Sequence, residues 1–276
     1  MFNSTVLEVG IGLIFCFSAV SLIVSSINEG LASFLQLRGK YLLKSIRALL
    51  NEPSGGGLVL DLYRHAGFNP RSNGTESSIK SMKGKPSYVE PAQFATTLVE
   101  ILQARSQVAT DLSAAIQGVP DAQLREQLTN LYRRAGADVH RFEAELATWF
   151  DRSMQRLSGA YKRTIQWWTV LIGFTLALLM NIDAIHLFKV LWAHPALVSQ
   201  LSAAQLSDTH GAIAGLTTAS LPIGWELPPL SYGAGQLAQM AAGWVITASS
   251  TLFGAPFWFD LLQKVTNLRG TGPKVK

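Results

Sequence analysis

Charged residues and cysteine are both scarce in this sequence. Only 15% of the 276 residues are charged and 48% are hydrophobic, whereas soluble domains average about 25% charged residues. The single cysteine, Cys16, lies inside an apolar run. One chain can therefore build neither a disulfide framework nor a cysteine-based zinc site. The low charge indicates a membrane protein, and the lone cysteine leaves the redox compartment open.

Short catalytic motifs are also missing. The sequence contains no P-loop, GxGxxG, HExxH or GxSxG pattern, and these are the patterns that mark phosphate, dinucleotide, zinc and nucleophile sites. His65 and His140 have no neighbour at the spacing of metal ligands. We therefore expect no catalytic residue, no metal site, no cofactor and no nucleic-acid partner.

Three apolar stretches are long enough to cross a bilayer, which takes about 20 residues each. They are Val6–Ile27, about Trp168–Trp192 and about Ala234–Phe259. A cleaved signal peptide has Lys or Arg before its apolar core, and no Lys or Arg precedes the first stretch here. The sequence therefore predicts three transmembrane helices, the first of them retained.

The distribution of basic residues predicts the orientation. Most of the 23 Lys and Arg residues lie between the first two apolar stretches, and residues 1–27 and 193–235 have none. Basic residues favour the cytoplasmic side of a membrane. We predict a first span in residues 1–27 with its N-terminus outside, a cytoplasmic helical domain in 28–167, a second span in 168–192, an external loop in 193–233, a third span in 234–259 and a cytoplasmic basic tail in 260–276.

The sequence predicts that the cytoplasmic domain is helical throughout. Residues 29–50 continue the first span as an amphipathic helix, which would either lie along anionic headgroups or pack on the domain. Residues 67–89 resemble a loop, and a final helix from about Asp138 buries Trp149 and Phe150 while Asp151 faces another side. No alternating strand pattern occurs, so the predicted fold class is all-α.

A polar cluster interrupts the second span. Asn181, Asp183, His186 and Lys189 fall in its outer half, and Glu8 of the first span is a further possible member. Ionisable groups inside a bilayer usually face protein or water. One interpretation is an ion or proton path; the other is a buried cluster that fixes helix packing. On a straight helix Asp183 would lie about 22 Å from Trp168, near the outer edge of the bilayer, which favours the packing role.

The third span carries small residues every four positions: Gly243, Thr247, Thr251 and Ala255. Such a stripe allows helices to approach closely. The partner helix could belong to the same chain or to another one. The stretch Gly254-Ala255-Pro256 is also a place where the helix could bend.

The triplet Trp-Phe-Asp recurs at 258–260, where Trp258 and Asp260 would mark the cytoplasmic end of the third span. Lys162 and Arg163 precede the second span at a similar depth. We therefore expect an ion pair between Asp260 and one of these two basic residues, which would clamp the third span against the base of the second.

Several stretches resemble a widespread family of uncharacterised bacterial inner-membrane proteins with three spans. They are WFDRSMQRLSGAYKR (149–163), NID (181–183), LPIGW (221–225), KPSYVEPAQFATTLVEIL (85–102) and the ending GAPFWFDLLQKVTNLRGTG (254–272). The resemblance implies a bacterial inner membrane and no particular activity.

Three functions are open on these grounds. The first is a non-enzymatic structural or scaffold subunit of a larger membrane assembly, which associates with itself or with other subunits. The second is a channel or transporter subunit that uses the polar cluster, and the third is an enzyme. The absence of catalytic motifs favours the first two.

Overall fold

The protein is all-helical in the residues that its computed structural model describes, which are 5–82, 84–106, 111–201, 203–218, 221–228 and 231–270. The all-α prediction is confirmed for that part of the chain. The helices are α1 (Thr5–Phe34), α2 (Leu37–Leu49), α3 (Gly57–Arg64), α4 (Pro91–Arg105), α5 (Leu112–Gln117), α6 (Ala122–Arg134), α7 (Val139–Leu179), α8 (Ala184–Ala193), α9 (Thr209–Thr218), α10 (Ala234–Ser250) and α11 (Ala255–Gly270). Short 3₁₀ turns cover Pro195–Gln200, Ala203–Leu206 and Thr251–Phe253.

The chain divides into two compact units. The central unit is Ala32–Lys162, and the terminal unit combines Met1–Leu31 with Arg163–Lys276. The central unit falls inside the range 28–167 that the sequence assigns to a cytoplasmic domain. Its cytoplasmic location stays a prediction.

The central unit is built around an apolar core. Asp111 and Asp121 cap α5 and α6, because each side chain accepts a hydrogen bond from a backbone N–H of the first turn. The final helix buries Phe150, whose ring stacks on Phe94 with centroids 4.1 Å apart. The predicted role of this first Trp-Phe-Asp triplet as a core anchor is therefore confirmed.

Residues 29–50 are two helices rather than one continuous helix. Gln36 takes a left-handed conformation, with φ of 50°, and separates α1 from α2. Ile46 of α2 and Leu50, which directly follows this helix, are completely buried in the central core. The segment therefore packs on the domain, while Lys40 and Lys44 of α2 remain exposed. Contact of this exposed face with anionic headgroups stays a prediction.

The terminal unit contains a helical hairpin that the sequence did not predict. Residues 184–218 fold back along α1. Gly12 packs against Leu191, and a Cβ added to it would lie 2.6 Å from the leucine side chain. Further along α1, the hydroxyls of Ser26 and Thr209 are 2.8 Å apart. The first half of the predicted external loop 193–233 thus packs against the first apolar helix, and its position outside the membrane stays a prediction.

The second and third predicted spans are both interrupted. The second ends as α7 at Leu179 and resumes as α8 after a bend of more than 40°. The third ends with the 3₁₀ turn at Thr251–Phe253, and α11 then leaves at 94° to α10. Gly254, with φ of 78°, makes the turn, so the predicted bend is confirmed. Residues 255–270 form one helix that runs across the predicted boundary at 259. The membrane boundary there and the cytoplasmic tail 260–276 stay predictions, and residues 271–276 lie outside the described residues.

By length and composition, α1 can cross a membrane on its own. The number of such spans in the described chain rises to three if each bent pair counts as one crossing.

Candidate functional site: a polar helix break in the terminal unit

The break between α7 and α8 is encoded by the triplet Asn181-Ile182-Asp183. Asn181 has φ of 47°, and asparagine tolerates this left-handed conformation better than most residues. Asp183 then caps α8, since its Oδ1 accepts hydrogen bonds from the N–H groups of Ile185 at 2.8 Å and His186 at 3.1 Å. One residue therefore ends the first helix and another begins the next.

The break is held by hydrogen bonds from two other segments. The Asn181 amide donates to the carbonyl of Gly224 at 2.9 Å, and its oxygen accepts from the indole N–H of Trp244 at 3.0 Å. The Thr247 hydroxyl donates to the carbonyl of Ile182 at 2.8 Å. Unwinding a helix frees backbone groups; the Thr247 hydroxyl satisfies one of them, while the Asn181 side chain ties the break to the other two segments.

Gly243 of α10 lies directly against the Asp183 carboxylate. A Cβ at position 243 would overlap the Asp183 oxygen that caps α8. Asp183 itself is only 4% exposed. The glycine is therefore needed so that a buried carboxylate fits between α8 and α10.

A cavity of about 450 Å³ opens beside the break. Asn181, Asp183, His186 and Lys189 all line it, so the structure brings together four of the five predicted members of the cluster. Opposite them are polar side chains of the segment 221–240: Glu226, Tyr232, Gln236 and Gln239. His186 and Lys189 are exposed. The cavity could bind a small polar molecule or ion.

Glu8, the fifth predicted member, is half-buried in the first turn of α1 and is not among the residues that line this cavity. The depth assigned to Asp183 is also corrected. The predicted distance from Trp168 to Asp183 applies to a straight helix, whereas the chain bends between α7 and α8 before it reaches Asp183.

The small-residue stripe pairs within the chain. Gly243 contacts Asp183, Thr247 bonds to Ile182, and a Cβ at Gly173 of α7 would lie 3.0 Å from the Thr251 hydroxyl. The stripe thus contacts α7 and the break within its own chain, and an additional contact with another chain stays a prediction. The sequence assigns Ala255 to the same stripe, but this residue lies in α11, beyond the sharp turn, and therefore does not continue the stripe of α10.

The expected clamp at Asp260 is not formed with Arg163. Asp260 is exposed, and no ion pair joins it to Arg163 among the described residues. Lys162 belongs to the central unit, so a pair with it stays a prediction. Trp258, in contrast, is an internal contact: its indole donates to the carbonyl of Ser250 at 2.8 Å and its ring lies 5.0 Å from that of Phe17.

Sequence reasoning missed three partners of the break, which are Gly224, Trp225 and Trp244. The Trp225 indole donates to the carbonyl of Leu179 at 3.3 Å, and the rings of Trp225 and Trp244 are 5.7 Å apart. The signal was present in the motif LPIGW, which places a tryptophan after a turn. Its target, however, is 46 residues away in the chain.

No protein-family model, no curated protein and no solved structure matches this chain. Function depends on the geometry of the site rather than on the fold alone.

Proposed function

We propose that the protein is a non-enzymatic integral protein of a bacterial inner membrane, and that it serves as a structural or scaffold subunit of a larger assembly. In this proposal the three apolar stretches cross the bilayer, with the N-terminus outside and the central unit in the cytoplasm. The apolar length of α1 and the concentration of basic residues in the central unit support it.

The observation that carries the structural role is the hydrogen bonding of the helix break. Asn181 uses both ends of its amide, and the Asp183 oxygen that faces Gly243 caps α8. Groups engaged in this way stabilise packing and are poorly placed to exchange ligands. The buried half of the cluster therefore supports a rigid membrane anchor for the central unit.

The test is isolation of the full chain from its own membranes in a mild detergent, after cross-linking in the cell. A scaffold subunit is expected to elute with stoichiometric partner chains or as a homo-oligomer. Elution as a single chain without partners, at concentrations where cross-linking also gives no adducts, would contradict the proposal. A C-terminal reporter that is active only outside the inner membrane would contradict the orientation.

A channel or transporter subunit is the second candidate, and the hairpin 184–218 favours it. Non-helical backbone at membrane depth is tolerated where it is buried in protein or lines a water-filled cavity, and transporters use broken helices to build their binding sites. The exposed His186 and Lys189 would then face the permeating species.

Flux measurements on reconstituted vesicles separate the two candidates. The scaffold predicts no flux with the parent protein. Flux that appears with the parent and disappears in the His186→Ala, Lys189→Ala double variant would favour transport. The control is His140→Ala on the exposed surface of the central unit, which should change neither flux nor assembly.

A further inference from the structure

Helix α2 presents three basic side chains on one face. Lys40, Lys44 and Arg47 are spaced four and three residues apart, so they lie above one another. They line a cavity of about 510 Å³ together with Leu43, Ala48, Asn51 and Pro53. No acidic side chain contributes to this lining. The cavity therefore has basic walls and no internal counter-charge.

A fourth basic residue, Lys85, lies near this cluster on a different segment, and it is not among the residues that line the cavity. Gly39, in the first turn of α2, packs on the chain at 85–86, and an added Cβ would lie 3.3 Å from the carbonyl oxygen of Pro86 and 3.5 Å from that of Lys85. The pKa of Lys85 is lowered, first by desolvation and then by the charges of Arg47 and Lys40. Lys85 is thus close enough for electrostatic repulsion by Arg47 and Lys40.

In the described part of the chain these charges have no ion-pair partner. None of the four forms an ion pair within the residues that the structure describes, and the buried Nε of Arg47 has no hydrogen-bond partner. The nearby carboxylate of Glu52 keeps its negative charge but forms no ion pair with the cluster among the described residues, because its two oxygens face the N–H groups of Leu58 at 2.9 Å and Val59 at 3.0 Å. Four like charges held together in this way favour an external anion.

We propose that Lys40, Lys44, Arg47 and Lys85 form a binding site for the phosphate of an anionic phospholipid headgroup. Arginine and lysine supply the charge-assisted hydrogen bonds that phosphate oxygens accept. Clusters of basic residues that directly follow a membrane helix on its cytoplasmic side bind anionic lipids. Only Leu35 and Gln36 separate α1 from α2. The choice of a lipid as the source of the phosphate rests on the proposed membrane insertion of α1.

The site is tested by titrating the purified full chain, in a non-ionic detergent, with dihexanoyl phosphatidylglycerol. Dihexanoyl phosphatidylcholine and inorganic phosphate serve as parallel probes. The parent protein is expected to bind the anionic lipid at least about tenfold more tightly than the zwitterionic lipid. The triple variant Lys40→Gln, Lys44→Gln, Lys85→Gln is expected to lose that preference.

The matched control removes the same number of charges elsewhere in the central unit. Arg133→Gln, Arg134→Gln and Arg141→Gln change exposed residues and should leave the affinity within about twofold. An equal loss in the control would overturn the site, since net charge would then explain the binding. Displacement of the lipid by an equal concentration of inorganic phosphate would overturn the lipid source.

Folding is monitored by the thermal midpoint of each variant. The cluster variant removes repulsion between like charges, so its midpoint without lipid should equal or exceed that of the parent. Anionic lipid should raise the midpoint of the parent and not that of the variant; a shift in both would overturn the site. Because the assay uses no bilayer, a wrong membrane orientation would leave its result unchanged, and a failed titration would not affect the proposed topology.

Discussion

The two units of the protein place their polar groups in opposite ways. In the central unit the buried residues are almost all apolar, and ion pairs such as Arg105–Asp61 lie at the surface, with both side chains about one-third exposed. In the terminal unit Asn181, Asp183 and Thr247 are buried between helices. The central unit resembles a water-soluble domain, and the terminal unit hides polar groups at the points where its helices stop.

This difference determines how each unit responds to a substitution. A buried polar group without a partner costs several times more than an exposed one. Most buried polar groups of the terminal unit are therefore satisfied internally, and the Ser21 hydroxyl is buried without a hydrogen-bond partner among the described residues. The Ser250 hydroxyl donates to the carbonyl of Thr247, and the Thr251 hydroxyl donates to that of Ala248. Small changes there should act through hydrogen-bond geometry, whereas changes in the central unit should act through lost volume.

The largest effect is expected from Phe150→Ala in the central unit. The side chain is 2% exposed and stacks on Phe94, and removal of a buried phenylalanine costs about 3–5 kcal/mol. The measurement is chemical unfolding of the purified protein, monitored by circular dichroism. Tyr88→Ala is the control, because that ring is 74% exposed and should change stability by less than about 0.5 kcal/mol. Similar losses in both variants would contradict the assigned core.

The second-largest effect is expected from Gly243→Ala in the terminal unit, which adds a single methyl group. In Gly243→Ala the new Cβ overlaps the Asp183 carboxylate, so the cap of α8 must move. Overpacking costs about 1–3 kcal/mol, and loss of the cap adds to it. Gly235→Ala on the same helix meets nothing within 4 Å and should not destabilise. Thermal unfolding in detergent compares the two, and equal midpoints would show that α8 and α10 do not pack as described.

A smaller effect is expected from changes at Asp183. Asp183→Ala removes the oxygen that accepts from Ile185 and His186, and loss of such a cap costs about 0.5–2 kcal/mol. Asp183→Asn keeps an oxygen in the same position and should retain most of the stability, because asparagine caps helices about as well as aspartate. The thermal midpoints of the two variants should therefore differ. If Asn is as destabilising as Ala, the negative charge matters beyond the cap.

The sequence predicted local features of this fold better than distant ones. The helix at 139–150 and the turn at Gly254 could be recognised, because periodicity and a Gly-Ala-Pro stretch act on neighbouring residues. The break at Asn181 was misread as a continuous span, since its partner Trp244 is 63 residues away. The hairpin 184–218 was likewise missed, because its apolar composition fits an external loop at a membrane surface as well as packing on α1. Residues of the polar cluster were identified, yet their geometry depended on these long-range contacts.

The smallest effect concerns Glu76, which orders the surface loop of the central unit. Its oxygens accept from the Ser72 hydroxyl at 2.8 Å and the Asn73 N–H at 3.3 Å, and its own carbonyl accepts from Arg64 at 2.7 Å. Backbone and side-chain hydrogen bonds lower the pKa of this carboxyl below its ordinary value of 4.5. The lowered pKa belongs to the folded state, so the stabilisation is complete above about pH 4.5 and is lost as the pH falls through the lower, folded value. Hydrogen exchange of the amides at 72–76 should therefore be slower in the parent than in Glu76→Gln at pH 6, and the difference should be smaller at pH 3. The control Glu90→Gln, whose side chain makes no cap hydrogen bond at the start of α4, should leave exchange at 72–76 unchanged at either pH. A difference between parent and Glu76→Gln that persists undiminished at pH 3 would show that the charge of Glu76 does not order the loop.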